Sequence, residues 1–154
     1  MLRLVVVLVL SCVPLLAQAA GPDPRLSRDA TVMVRDAVAL YGKRGRSALL
    51  SQVSDRSNNS FHRNGLFVLV WQRDGTLVAH GLGSKFLGQN LMAVRDAKGM
   101  PFIRKSIETG IAGGGWVTYD SWDDPVSQDT SQWAMYVQPA GVDLVIGVGV
   151  GPRP

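Results

Sequence analysis

Leu66–Gly81 reads LFVLVWQRDGTLVAHG. Two apolar runs, Leu66–Trp71 and Thr76–His80, flank Gln72-Arg73-Asp74-Gly75. Asp-Gly between β-forming residues is a strong hairpin signal, because Gly75 takes φ > 0 without steric penalty. The stretch predicts an antiparallel hairpin in the middle of the chain. It ends on His80, the one histidine inside a predicted strand.

Working outward from the hairpin, Ser54–Asn64 is polar and reads as a loop. Before it, Ala30, Val34, Ala37, Val38 and Tyr41 recur at helical spacing. They predict an amphipathic helix from about Leu26 to Gly42, with the Ser27 hydroxyl as its cap. Gly45 ends or bends this helix, and Ser47 restarts a short one through Val53. On the other side of the hairpin, Leu82–Asn90 is punctuated by glycine and has no clear period. A turn at Asp96–Gly99 leads to Pro101, which suits the first turn of a helix. Phe102, Ile103 and Ile107 make the apolar face of that helix, through about Thr109.

Gly110–Gly115 holds four glycines and breaks the second helix. No Lys-Ser/Thr follows and a strand comes next, so the run reads as a connector or a close backbone approach, not a phosphate loop. Trp116–Tyr119, Gln132–Gln138 and Leu144–Gly149 are further strands, and Asp120–Ser131 is an acidic, polar loop. At least five antiparallel strands preceded by helices make an α+β domain.

The first nineteen residues read as a leader. Arg3 is a minimal basic start, Leu4–Leu16 is apolar, and Ala17-Gln18-Ala19 is a small-x-small cleavage site. The apolar run is shorter than the roughly 20 residues a membrane span needs, and Pro14 interrupts it. The expectation is export to the periplasm or beyond, with cleavage after Ala19. Val9-Leu10-Ser11-Cys12 faintly resembles a lipidation box, so membrane contact is expected only if Cys12 is lipidated. Cleavage removes the one cysteine and leaves about 135 residues, enough for one domain with a sizeable core. A mature chain of this kind has no disulfide, no cysteine nucleophile and no thiolate metal site.

The net charge of +4 is mild and dispersed, apart from Lys43-Arg44-Gly45-Arg46. That cluster suits a solvated helix end, where cations complement the dipole. Aromatic residues do not alternate with basic ones, so nucleic acid is not an expected partner. No G-x-S-x-G elbow occurs, and the acids lie mostly in turns, so no catalytic constellation is read and the chain is not expected to be an enzyme. His62 falls in the polar loop and reads as solvated. Two such histidines without a spaced carboxylate give no zinc site, and no cofactor is implied. Asp120, Asp123 and Asp124 read as a hydrated acidic loop.

The order of these segments resembles a single Cache domain of the second type, an extracytoplasmic PAS-like sensor module. The parts that carry the resemblance are Asp74-Gly75, Ala79-His80, Gly88-Gln89-Asn90-Leu91 and Asp96 with Gly99. Gly115-Trp116-Val117, Tyr136-Val137 and Gly147-Val148-Gly149 follow in the same order. It spans about Ala30–Val150, within an expected domain of 26–150. The resemblance implies a curved PAS-like antiparallel sheet of about five strands, with a long N-terminal helix packed on it. It also implies a pocket for a small carboxylate, amino acid or similar metabolite, and a membrane receptor or kinase as signalling partner. The chain ends at Pro154 without a second apolar span, and so resembles a free-standing exported form. Many relatives carry a lysine where Trp133 stands, which leaves the basic anchor for a carboxylate open. The rival reading is a ligand-free structural or protein-interaction module of the same fold.

The candidate ligand-binding residues are His80, Lys85, Trp116, Trp122 and Tyr136. His80 can hydrogen-bond a ligand, or it can sit at a strand end bonded to backbone. Lys85 follows it closely and could pair with an anion. The aromatics are the usual walls of a small-ligand pocket, with polar handles. Strand alternation sets Trp133 and Tyr136 on opposite faces unless a bulge intervenes, and the resemblance favours Tyr136 as pocket-facing. Trp71 reads as core, and Asn90 as a structural cap.

Overall fold

A computed structural model describes residues 22–121 and 131–152. The leader and Cys12, at the start of the chain, and Trp122, Asp123 and Asp124 lie outside the described residues. The elements run α1 (Pro24–Ser54), β1 (His62–Arg63), β2 (Leu66–Gln72), β3 (Leu77–His80), α2 (Phe102–Ile111), β4 (Gly115–Asp120), β5 (Gln132–Ala140) and β6 (Leu144–Val150).

The predicted first helix is present, and it begins earlier than Leu26. Asp23, not Ser27, is the cap: its carboxylate accepts from the Arg25 N–H at 2.7 Å, and Pro24 takes the first turn. The Ser27 hydroxyl instead donates back to the Asp23 carbonyl at 2.8 Å. Gly45 bends the helix at φ 79°, ψ −177°, a conformation that strains any residue with a Cβ. Beyond the bend, Arg46 pairs with Asp143 in the β5–β6 turn, and the Tyr41 hydroxyl donates to the same carboxylate at 3.3 Å. The kink thus lets one helix follow the curve of the sheet and clip its far turn.

The sheet is antiparallel, in the order β1-β2-β6-β5-β4, with β3 also paired to β2. The hairpin forms as expected: the Gly75 N–H donates to the Gln72 carbonyl at 3.0 Å, with Gly75 at φ 94°. A bulge follows, since Val70 pairs with Ala79 while Trp71 pairs with Leu77. Val78 is the extra residue, and the bulge keeps both Leu77 and His80 on one face. The polar stretch before the hairpin is not all loop. Asn64 and Gly65 both have φ > 0, at 53° and 76°, and they close a two-residue hairpin of β1 on β2.

Two apolar layers lie on the two faces. Leu66, Val68 and Val70 of β2, with Leu144, Ile146, Val148 and Val150 of β6, pack against Met33, Val34, Ala37, Leu49 and Val53 of α1. The alternate positions, Trp71, Val145, Val137 and Met135 among them, pack with Phe102, Ile103 and Ile107 of α2. The second helix starts one residue after Pro101, which caps it, and ends two residues beyond its expected end at Thr109. It covers less of the sheet than α1 does, and the remainder of that face holds the cavity.

Candidate functional site

Strand β6 reads LVIGVGV, followed by Gly151. Period-2 alternation sends the large residues to α1 and sets Val145, Gly147, Gly149 and Gly151 on the other face. Those glycines are where the neighbouring rings lie. A Cβ on Gly147 would meet Trp71 Cζ3 at 2.9 Å, and one on Gly151 would meet the Trp133 ring at 2.9 Å. A Cβ on Gly149 would lie 3.1 Å from the Tyr119 hydroxyl. The strand therefore makes a floor without side chains, and aromatic residues from its neighbours stand around it.

A cavity of about 430 Å³ opens over this floor. Phe67, Leu69 and Trp71 of β2 line one side, and Trp133 and Met135 of β5 with Tyr119 of β4 line the other. Tyr119 and Trp133 are direct cross-strand partners with ring centres 6.4 Å apart. Phe102, near the start of α2, stacks on Tyr119 at 4.5 Å and 12°. Ser84, Phe86, Leu91 and Val94 complete the roof.

The roof segment is held by backbone bonds rather than by a helix or a long strand. Leu77 N–H donates to the Gln89 carbonyl at 3.0 Å, and Gly88 N–H donates to the Leu77 carbonyl at 2.8 Å, so the chain doubles back along β3. Asn90 accepts from the Met92 N–H at 3.0 Å, the structural role expected of it. Asp96, only 6 % exposed, accepts from the N–H groups of Lys98 (3.0 Å), Met100 (2.8 Å) and Asp120 (3.1 Å). That single carboxylate ties the approach to α2 onto the end of β4.

Polar groups at the cavity are few. His80 lines it and stacks on Phe67 with ring centres 4.6 Å apart. Its Nδ1 accepts from the Leu82 N–H at 3.2 Å, so a neutral ring carries its proton on Nε2. Burial holds the His80 pKa below its ordinary value, and the Arg56 charge lowers it further. Trp71 is 1 % exposed, and its indole N–H is buried without a hydrogen-bond partner. Among the described residues, the lining contains no Asp, Glu, Lys or Arg. No group of three or more His, Cys, Asp or Glu among the described residues could hold a metal ion.

The structure thus gathers some of the sequence candidates and separates others. His80 is at the cavity. Lys85 is exposed and outside the lining, with its ammonium 5.3 Å from the centre of the Phe86 ring. The expectation that Tyr136 faces the pocket is corrected. The β4–β5–β6 register runs without a bulge, so Tyr136 and Trp133 point to opposite faces, and Trp133 is the one in the lining. Trp116 pairs with Tyr136 on the α1 side of the sheet, with ring centres 5.1 Å apart. Trp122 lies outside the described residues.

Trp71, Tyr119, Trp133 and Phe86 are lining residues that the sequence reading did not select. A usable signal was present in the glycine alternation of β6, which marks the sheet face that leaves room for rings. His62 is likewise not a solvated loop residue. It pairs with Phe67 in β1, and its Nδ1 is buried without a partner, because the Asn64-Gly65 turn folds it onto β2.

Comparison with known proteins follows the same lines. A family model described as single Cache domain 2 matches residues 49–152. No curated protein matches the chain. Among solved structures, a periplasmic sensor domain of a chemotaxis protein aligns with TM-score 0.59 and 22 % identity, covering 82 % of this chain and 90 % of that one. A structure titled for carboxylic acid recognition by a Cache chemosensory domain aligns with TM-score 0.57 and 18 % identity, over 82 % and 88 % of the two chains. A methyl-accepting chemotaxis protein from Vibrio parahaemolyticus aligns at 0.54 and 14 %, with the same two coverages. The fold these chains share is a helix packed on an antiparallel sheet. The chain belongs to the single Cache domain 2 family.

Proposed function

We propose that this protein is an exported sensor module that holds a small organic molecule over the glycine face of β6 and does no chemistry on it. The observation that carries this reading is the cavity of about 430 Å³, walled by aromatic residues from three strands and one helix. That size lies within the range of small-molecule pockets, and such pockets are apolar with a few directing polar groups. His80 is the proposed directing group. Export is supported by the leader-like first nineteen residues. A membrane receptor or kinase is the proposed signalling partner, as the resemblance implies. The ligand-free alternative calls for a filled interior, and the hollow speaks against it.

A small carboxylate is the class that the resemblance implies, and one structural neighbour's title names it. In this lining it would meet no cationic side chain among the described residues.

Thermal-shift screening of organic acids, amino acids and neutral aromatic compounds tests the reading. A ligand at a hundred times its Kd stabilises the native state by about 2.7 kcal/mol, a rise on the order of 10 °C for a domain of this size. Gly149→Val, which fills the floor, should abolish the rise. A panel without hits would overturn the proposal, as would hits that survive Gly149→Val unchanged.

A further inference from the structure

We propose that the cavity is built for an amphipathic molecule, with a hydrocarbon body in its closed end and one hydrogen-bonding head among Asn64, His80 and Ser84. The inference rests on the ligand-binding reading above and names the chemical class of the ligand.

The lining runs along β2 from Gly65 to Trp71, about 20 Å of strand at about 3.3 Å per residue. Its two ends differ. At the far end Trp71 and Leu77 meet Phe102 and Ile103 of α2, and all four are buried members of one apolar cluster. At the near end Asn64 and Gly65 are exposed, and Leu26 and Gly151 are half-buried. The hollow therefore closes toward α2 and opens beside the β1–β2 turn.

The polar atoms of the lining follow the same gradient. Asn64 stands at the open end, where its amide nitrogen donates to the Asp29 carboxylate at 3.4 Å and its amide oxygen is left to accept. His80 and Ser84 are half-buried. His80 Nδ1 accepts from the Leu82 N–H, which leaves Nε2–H as the ring's donor. Ser84 Oγ accepts from the Phe86 N–H at 3.0 Å, which leaves its O–H to donate. The Tyr119 hydroxyl lies over Gly149, between the two ends. The Trp71 indole nitrogen is itself buried and offers no handle. Hydrogen-bonding capacity thus gathers toward the mouth, and the closed end is hydrocarbon.

Apolar walls without partner atoms forfeit dispersion contacts and the gain from burial. A two- or three-carbon acid would leave most of the roughly 430 Å³ empty. A chain of several CH₂ groups fills the closed end, while its head stays with the donors and with water at the mouth. Burial of each CH₂ then adds to affinity until the chain reaches Trp71 and Ile103.

Calorimetric titration of the purified protein with 1-butanol, 1-hexanol, 1-octanol and acetate tests this. Affinity should rise about fourfold per added CH₂ along the alcohols, and octanol should bind at least about a hundredfold more tightly than acetate. On the unmodified protein, intermolecular nuclear Overhauser effects should link the terminal methyl of octanol to Leu77 and Ile103, and its carbinol protons to the His80 ring. Gly149→Val should weaken octanol about tenfold or more. An affinity that does not rise with chain length would overturn the inference, as would a terminal methyl beside His80 instead of Ile103. Acetate binding more tightly than octanol, and lost in Gly149→Val, would also overturn it while leaving the ligand-binding reading intact. Binding by none of these probes, nor by any member of the wider panel, would overturn both readings.

Discussion

Gly149→Val should stabilise this protein, and Gly147→Val, two residues earlier on the same face, should destabilise it. Both glycines sit in β6 with backbone angles that other residues adopt, so the contrast isolates space from strain. At position 147 a new Cβ would meet Trp71 Cζ3 at 2.9 Å and Val137 Cγ1 at 3.0 Å, in fully packed surroundings. Overpacking of that kind costs about 1–3 kcal/mol. At position 149 the close neighbours are the Tyr119 hydroxyl at 3.1 Å and Met135 Cε at 3.9 Å, and the cavity lies beyond. Three added carbons at about 0.8 kcal/mol each would give about 2.4 kcal/mol if fully buried. Part of the new surface stays accessible in the open hollow, and the Tyr119 ring must move by a few tenths of an ångström. The net expectation is about 1–2 kcal/mol of stabilisation, helped by the removal of glycine from a strand. Urea denaturation followed by far-UV circular dichroism reads both variants, as shifts in midpoint at constant slope. If Gly149→Val destabilises as much as Gly147→Val, the space over Gly149 is filled, and the functional reading falls with it.

Other outcomes follow from single contacts. Asp96→Ala removes the acceptor for three backbone N–H groups and should cost about 3 kcal/mol or more in urea midpoint measurements; a loss below about 1 kcal/mol would show that the roof does not depend on it. Gly75→Ala places a Cβ at φ 94° against the Met92 side chain and should cost about 1–3 kcal/mol, measured the same way. Arg46→Met breaks a half-exposed pair with Asp143 and should change stability by less than about 1 kcal/mol. The lowered His80 pKa means that the unfolded chain binds more protons than the native one just below pH 6.5. Stability from this group is therefore complete above that pH and falls as acid is added. Melting temperatures between about pH 7.5 and 5.5 should show a fall that His80→Gln reduces.

Much of the fold was legible because its signals are local. Asp74-Gly75 fixes a turn through the one residue able to hold that φ, and the α1 pattern survives a bend at Gly45 for the same reason. Asn64-Gly65 carries an equally local signal. Polar flanking residues and the shortness of β1, only two residues long, mask it. The cavity residues were harder. Trp71 and Trp133 look like ordinary core in a one-dimensional reading, while Tyr136 carries the family motif yet points to the helix side.

By itself, the order of residues determined the antiparallel class, the long bent helix, the hairpin with its glycine turn and the absence of any recognisable catalytic motif. Each depends on period, turn chemistry or composition within a short window. Tertiary structure alone decided which face of β5 meets the hollow and where α2 stops covering the sheet. It also left the Trp71 indole N–H buried without a partner among the described residues. Those outcomes depend on how strands far apart in sequence, such as β2 and β6, come into register. A one-residue shift would exchange the two faces, and no local pattern encodes the space left between the elements.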